Sequence, residues 1–108
     1  MEQLAYRLRG GSKVASGPPC FVGVLASGNL EVLVEAMPGD DACAIEITTP
    51  ATGFADVWEA VVRAFFDRHP IGSLRISIND NGATPATVSL RLDQAIEEYL
   101  AARQISPT

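Results

Sequence analysis

The sequence is short of the residues that most chemistry relies on. Among its 108 residues there is one histidine, one tryptophan and two cysteines, and aromatic side chains make up only 6 %. A lone His69 and the distant Cys20 and Cys43 cannot assemble the three or four clustered ligands of a zinc site. No Cys-x-x-Cys pair, Gly-x-Ser-x-Gly elbow or phosphate-cradling glycine loop occurs. Positive charge is scarce too: eight Lys and Arg stand against thirteen Asp and Glu, for a net charge of −5. Nucleic-acid phosphates would be repelled by that balance, whereas a basic protein surface suits it. Long apolar runs are also missing. None approaches the roughly 20 residues that span a bilayer, and the alternating stretch from Met1 to Arg9 has no signal-peptide core. The expected setting is the cytoplasm, away from membranes and nucleic acid, where Cys20 and Cys43 stay reduced.

What is present is a foldable chain. Hydrophobic residues at 47 % and charged residues at 19 % are globular proportions, and the length suits one domain over residues 1–108. Leu4, Tyr6 and Leu8 alternate with polar neighbours, the period of a half-buried strand. Residues 10–19, rich in glycine and proline, predict a flexible loop. Cys20 to Ala26 is apolar on both faces, which predicts a central strand or one lying at a subunit contact. Leu30 to Ala36 alternates again, with Glu31 and Glu35 turned to water, and Ile45 and Ile47 mark a further strand. Between Ala26 and Leu30, Gly28-Asn29 is a hairpin signal in which both residues accept φ > 0.

The period then changes. Phe54, Val57, Trp58, Val61 and Phe65 recur at helical spacing over 54–68, and His69-Pro70 and Gly72 stop the helix. Leu74, Ile76 and Ile78 predict one more core strand, and Asn79 to Gly82 a turn. Thr84 caps a second helix that begins at Pro85 and buries Val88, Leu92, Ala95, Ile96 and Tyr99. Residues 104–108 read as a frayed tail. The order β-β-β-β-α-β-α, opening as a β-meander, predicts an α+β two-layer sandwich. Its sheet is mainly antiparallel, of four to five strands, with both helices on one face.

Few residues are placed for catalysis. His69 sits at a helix end, where imidazole commonly serves as a C-terminal cap. Asp40 and Asp41 share a solvated turn, and Asp80 is the one carboxylate of its loop, too few for a metal. Phe54, Trp58 and Phe65 read as core packing. An autonomous enzyme is not expected. Ser27 stands apart because it directly precedes Gly28-Asn29, so its hydroxyl should project from a tip between two stiff strands, although serine is common in turns for purely local reasons.

The segment Val22-Gly23-Val24-Leu25-Ala26-Ser27-Gly28-Asn29-Leu30-Glu31-Val32-Leu33-Val34-Glu35 resembles the region around the modified serine in the acyl carrier (delta) subunit family of malonate decarboxylase. The related carrier (gamma) subunit of citrate lyase is similar there. The likeness continues through Ile78-Asn79-Asp80-Asn81-Gly82-Ala83-Thr84-Pro85 and Leu90-Arg91-Leu92-Asp93-Gln94, and departs at Asn29, where the family pattern has Asp. The resemblance implies that Ser27 carries a 2′-(5″-phosphoribosyl)-3′-dephospho-CoA arm through a phosphodiester, set on a turn shaped by Gly28 and Asn29. It also implies a prosthetic-group transferase that attaches the arm, and acyltransferase and decarboxylase subunits that act on the acetyl and malonyl thioesters it presents. The carrier itself would be non-catalytic. On this reading Asn79 to Gly82 is a candidate recognition surface for the arm or the transferase. Arg7, Arg9 and Lys13 could pair with the arm's phosphates, but solvated surface charge is the better account of them. The rival readings are a citrate lyase carrier, an unmodified protein-interaction module, and a serine enzyme using Ser27 and His69.

Overall fold

The computed structural model describes residues 1–14 and 16–104. Alternating segments become strands and the helically spaced ones helices: β1 (Glu2–Leu8), β2 (Ser12–Lys13), β3 (Cys20–Gly23), β4 (Asn29–Ala36), β5 (Cys43–Thr49), α1 (Ala55–Arg68), β6 (Ile71–Gly72), β7 (Leu74–Asn81) and α2 (Pro85–Gln104). Five strands form one sheet in the order β1-β5-β7-β4-β3. β5 and β7 run parallel and the other neighbours antiparallel. The fold is therefore the expected α+β sandwich with a mainly antiparallel sheet.

Leu30, Val32 and Val34 of β4, Ile45 and Ile47 of β5, and Leu74, Ile76 and Ile78 of β7 point to the helix side and are buried. There they meet Trp58, Val62 and Phe65 of α1 and Val88, Leu92, Ala95, Ile96 and Tyr99 of α2. The opposite face carries polar cross-strand pairs, among them Arg75 with Glu46 at 2.7 Å and the Asn79 amide donating to Glu31 Oε1 at 3.1 Å. One buried and one solvated face is what period-two alternation specifies.

Several expectations need correction. The sheet is not a meander: the crossover through α1 inserts β7 between β4 and β5. The strand expected over 20–26 ends at Gly23, and among the described residues it lies at the sheet edge, paired with β4. Segment 10–19 is not loop throughout, since Ser12 and Lys13 pair in parallel with Ile71 and Gly72 and Val14 packs against the core. Helix α2 includes Gln104, and the rest of the expected tail lies outside the described residues. Phe54 and Val57, expected in the core, are exposed at the start of α1, while Trp58, Val62 and Phe65 are buried.

The turn expected over Asn79 to Gly82 begins three residues late, because β7 continues through Asn81 with Asp80 buried. A buried carboxylate is tolerated where its oxygens are satisfied. Thr49 Oγ1 donates to Asp80 Oδ2 at 2.8 Å, and the Ala83 N–H donates to Oδ1 at 2.9 Å. Thr49→Val is accordingly expected to cost about 1–3 kcal/mol, the penalty of leaving a buried acceptor without its donor. Urea titration monitored by circular dichroism measures that loss.

His69 ends α1 as expected, its N–H donating to Phe65 O at 2.9 Å while its Nε2 lies 3.1 Å from Asp93 Oδ1. Arg68 shares the same carboxylate. Neither cysteine is in a disulfide, and β3 and β5 are separated in the sheet by β4 and β7. Burial pushes the Cys43 thiol from 9.0 up to about 12. An unfolded thiol ionises above pH 9 and the folded one does not, so this contribution to stability is whole below pH 9 and declines between pH 9 and about 12. Iodoacetamide at pH 8 should leave Cys43 unlabelled in the native protein and label it once urea unfolds the chain, as peptide mass mapping would show.

Candidate functional site

The site begins where β3 leaves the sheet. Gly23 has φ +95°, and a Cβ at this position would lie 2.2 Å from Leu30 O, so the chain can pass only as glycine. The Val24 N–H donates to that same carbonyl at 3.2 Å. Val24 and Leu25 then stand exposed, and the Asn29 N–H closes a four-residue turn on Ala26 O at 2.9 Å. Ser27 and Gly28 are its two central residues. Gly28 takes φ +76° at the third position, where a type II turn requires a left-handed residue. The Ser27 side chain is exposed.

The expectation that Gly28 and Asn29 would both be left-handed is half met. Among the described residues only Ser73 is a non-glycine with positive φ. Asn29 instead opens β4, opposite Asn81, and its Oδ1 accepts from the Leu30 N–H at 2.8 Å and from Arg91 Nε at 3.3 Å. The turn is centred one residue earlier than a two-residue hairpin, which releases Asn29 to pair.

The turn is braced by the connection between β7 and α2. The Gly28 N–H donates to Asn81 O at 2.8 Å, and Asn29 forms a bridge with Gly82. Ser27, Gly28 and Asn29 are thus brought together with Asn81 and Gly82, while Asp80 and Asn79 are engaged elsewhere, with Thr49 and Glu31. Arg91 was not among the expected site residues. Its guanidinium, held by Gln94 Oε1 at 2.9 Å, is the cation bonded to this turn. The Leu90-Arg91-Leu92 run carries part of the family likeness, yet nothing local in it signals a contact 62 positions away.

The basic residues proposed from the sequence lie at the other end of the sheet. Arg7 pairs with Asp40, and Arg9 with Asp41 at 3.2 Å. The Ala42 N–H, then Arg7, hold the Asp40 carboxyl below its usual range. Lys13 lies in β2 beside β6. His69 precedes β6, at the end where β7 starts, and β7 then runs seven steps of about 3.3 Å before it reaches the serine turn. His69 and Ser27 are not partners.

Beside the turn is a cavity of about 340 Å³ between the start of α1 and the start of α2. Val57, Trp58, Val61, Ala83 and Val88 line it, and Gly82 joins it to the serine turn. Among the described residues no group of three or more His, Cys, Asp or Glu is placed to hold a metal.

Fold and site define a small α+β scaffold that presents an exposed serine on a braced turn at a sheet end rather than in a cleft. The chain belongs to the malonate decarboxylase delta subunit family, whose model matches residues 19–99. It is 53 % identical over 98 residues to the malonate decarboxylase acyl carrier protein of Burkholderia cepacia, covering 91 % of this chain and 90 % of that one. It is 55 % identical over 102 residues to the protein of the same name from Stenotrophomonas maltophilia, covering 94 % and 96 %. In structure it is similar to one chain of a Pseudomonas malonate decarboxylase hetero-tetramer crystallised with malonate. The TM-score is 0.78 at 36 % identity, over 91 % of this chain and 98 % of that chain. The family read from the segment around Ser27 is therefore the family found.

Proposed function

We propose that the chain is the acyl carrier subunit of a malonate decarboxylase, itself non-catalytic, and that Ser27 carries the phosphoribosyl-dephospho-CoA arm. The observation that carries this reading is an exposed serine on a turn held by its neighbours, in a family whose relatives are named acyl carrier proteins. The residues fit the group. The Ser27 hydroxyl is accessible, the space around Gly28 is open to 4 Å, and Arg91 supplies a cation within the turn's own hydrogen-bond network to face a phosphodiester. When attached, the arm supplies a thiol that holds acetyl or malonyl groups as thioesters. The chain supplies a rigid base and a high effective concentration of thioester near its partners. Stabilising the enolate-like carbanion left by CO₂ falls to the decarboxylase subunits.

Partner docking is supported at the β3 edge. Phe21, Val24 and Leu25 are exposed by 57, 59 and 53 %, on and just after the sheet's edge strand, which leads directly to Ser27. The acyltransferase and decarboxylase subunits are the partners assigned to it, and the prosthetic-group transferase must approach the same turn. The net charge of −5 suits basic surfaces on them. Among the described residues no helix is long and apolar enough to cross a membrane. Co-expression with the matching transferase, followed by intact mass spectrometry, tests the assignment: one arm should be gained and should map to the Ser27 peptide. An unchanged mass, with a transferase shown to be active on another carrier of this family, would refute it.

A further inference from the structure

We propose that the cavity between α1 and α2 receives the adenine ring of the arm attached at Ser27, an inference that rests on the carrier reading above. Cavity and serine turn share a wall. Gly82 lines the cavity, and its backbone also bridges Asn29. A Cβ on Gly82 would stand 4.0 Å from the Gly28 nitrogen, next to Ser27. A group tethered to Ser27 therefore reaches this cavity by crossing a single backbone strand.

The lining selects the occupant by its chemistry. Its two polar side chains are already satisfied: Asp80 accepts from Thr49 and from the Ala83 N–H, and Thr49 Oγ1 accepts from the Ala51 N–H at 3.2 Å. What remains is apolar surface from Val57, Trp58, Val61, Ala83 and Val88. Such a pocket takes the weakly hydrated faces of a flat aromatic ring and rejects phosphates and ribose hydroxyls, which lose hydration there without a replacement. The charged and hydroxylated parts of the arm are left outside, on the side of Arg91.

Exposure at the rim points the same way. Phe54 and Val57 begin α1 at 51 and 42 % exposure, large apolar groups placed where a bound ring would cover them. Within the arm, adenine is the first planar unit beyond the phosphodiester; its ring faces are apolar, and its amino group and ring nitrogens stay hydrated at the cavity mouth. The thiol at the far end has to travel to other subunits, so a cavity next to the attachment point serves the base of the arm and not its tip. Seating adenine there fixes the root of the tether and leaves the thioester end free.

Trp58 lines the cavity and is the chain's sole tryptophan, which gives the proposal a readout independent of enzymatic activity. Loaded and unloaded protein, each verified by intact mass, are compared by NMR. The expected result is a shift of the Trp58 indole N–H and of the Val57, Val61 and Val88 methyl resonances on loading, with NOEs from the adenine protons to those methyls. Ala83→Phe, which fills the cavity from a loop, should still load at Ser27 and lose those NOEs. If Ala83→Phe does not fold, the wild-type NOEs decide the matter alone. Shifts confined to Ser27, Gly28, Asn29 and their brace, without adenine NOEs, would overturn the proposal while the carrier reading stands. So would a cavity whose resonances move only when a partner subunit is added. Absence of the arm from the mass spectrum is a different result, and it defeats the carrier reading itself.

Discussion

Ser27→Ala is expected to abolish attachment of the arm completely and to leave the fold intact. The hydroxyl is exposed, the turn is closed by backbone hydrogen bonds from Asn29 to Ala26 and from Gly28 to Asn81, and alanine supports the same backbone. Removing an exposed hydroxyl should change stability by about 0.5 kcal/mol or less. The chemistry falls to zero, because a methyl group cannot form a phosphodiester and no neighbouring hydroxyl shares the position. Intact mass after incubation with the transferase should show no gain, and decarboxylation in the reconstituted complex should be lost. Thermal unfolding should shift by no more than about 2–4 °C for a domain of this size. Wild-type loading of the variant would move the attachment point off Ser27.

Gly23→Ala is expected to be the most damaging single change around the site, and far worse than Gly28→Ala. Both glycines are left-handed, so each alanine incurs about 1–2 kcal/mol from its conformation. At Gly28 that is the whole cost, since the added Cβ meets nothing within 4 Å. At Gly23 the Cβ lands 2.2 Å from the Leu30 carbonyl oxygen and 3.3 Å from Glu31 Cα, both backbone atoms that cannot swing away. The strand must part from β4, and the Val24 to Leu30 hydrogen bond goes with it, adding about 1–3 kcal/mol where the carbonyl stays buried. That added cost of about 1–3 kcal/mol, read by urea titration, is what separates Gly23→Ala from Gly28→Ala. Gly28→Val, strained and β-branched, should fold yet load more slowly at Ser27. Equal losses for the two alanine variants would mean that β3 and β4 do not approach this closely in solution.

The two glycines also mark how far the sequence could be read. Gly28 follows from its immediate neighbours, a small residue between two apolar runs. Gly23 lies inside an apolar run with no local sign of strain, and its constraint comes from a carbonyl on the next strand. Asp80 is a similar case. Aspartate next to two asparagines and a glycine reads as a turn, and its burial in a strand depends on a threonine 31 positions away as well as on the nearby Ala83 N–H.

By itself the sequence determined what depends on residues a few positions apart. The alternating strands, the two helices, the Thr84 cap, whose oxygen accepts from the Thr87 N–H, and the turn that exposes Ser27 are of that kind. Each is set by local sterics and by which side chains share a face. The tertiary structure alone decided that β7 lies between β4 and β5, that β3 is an edge, and that Arg91 and Gly82 meet the serine turn. It also decided that Phe54 and Val57 stay outside the core beside a cavity. Periodicity tells which face of an element is apolar but not which element will cover it, because that choice is made by the packing of the whole sheet against both helices.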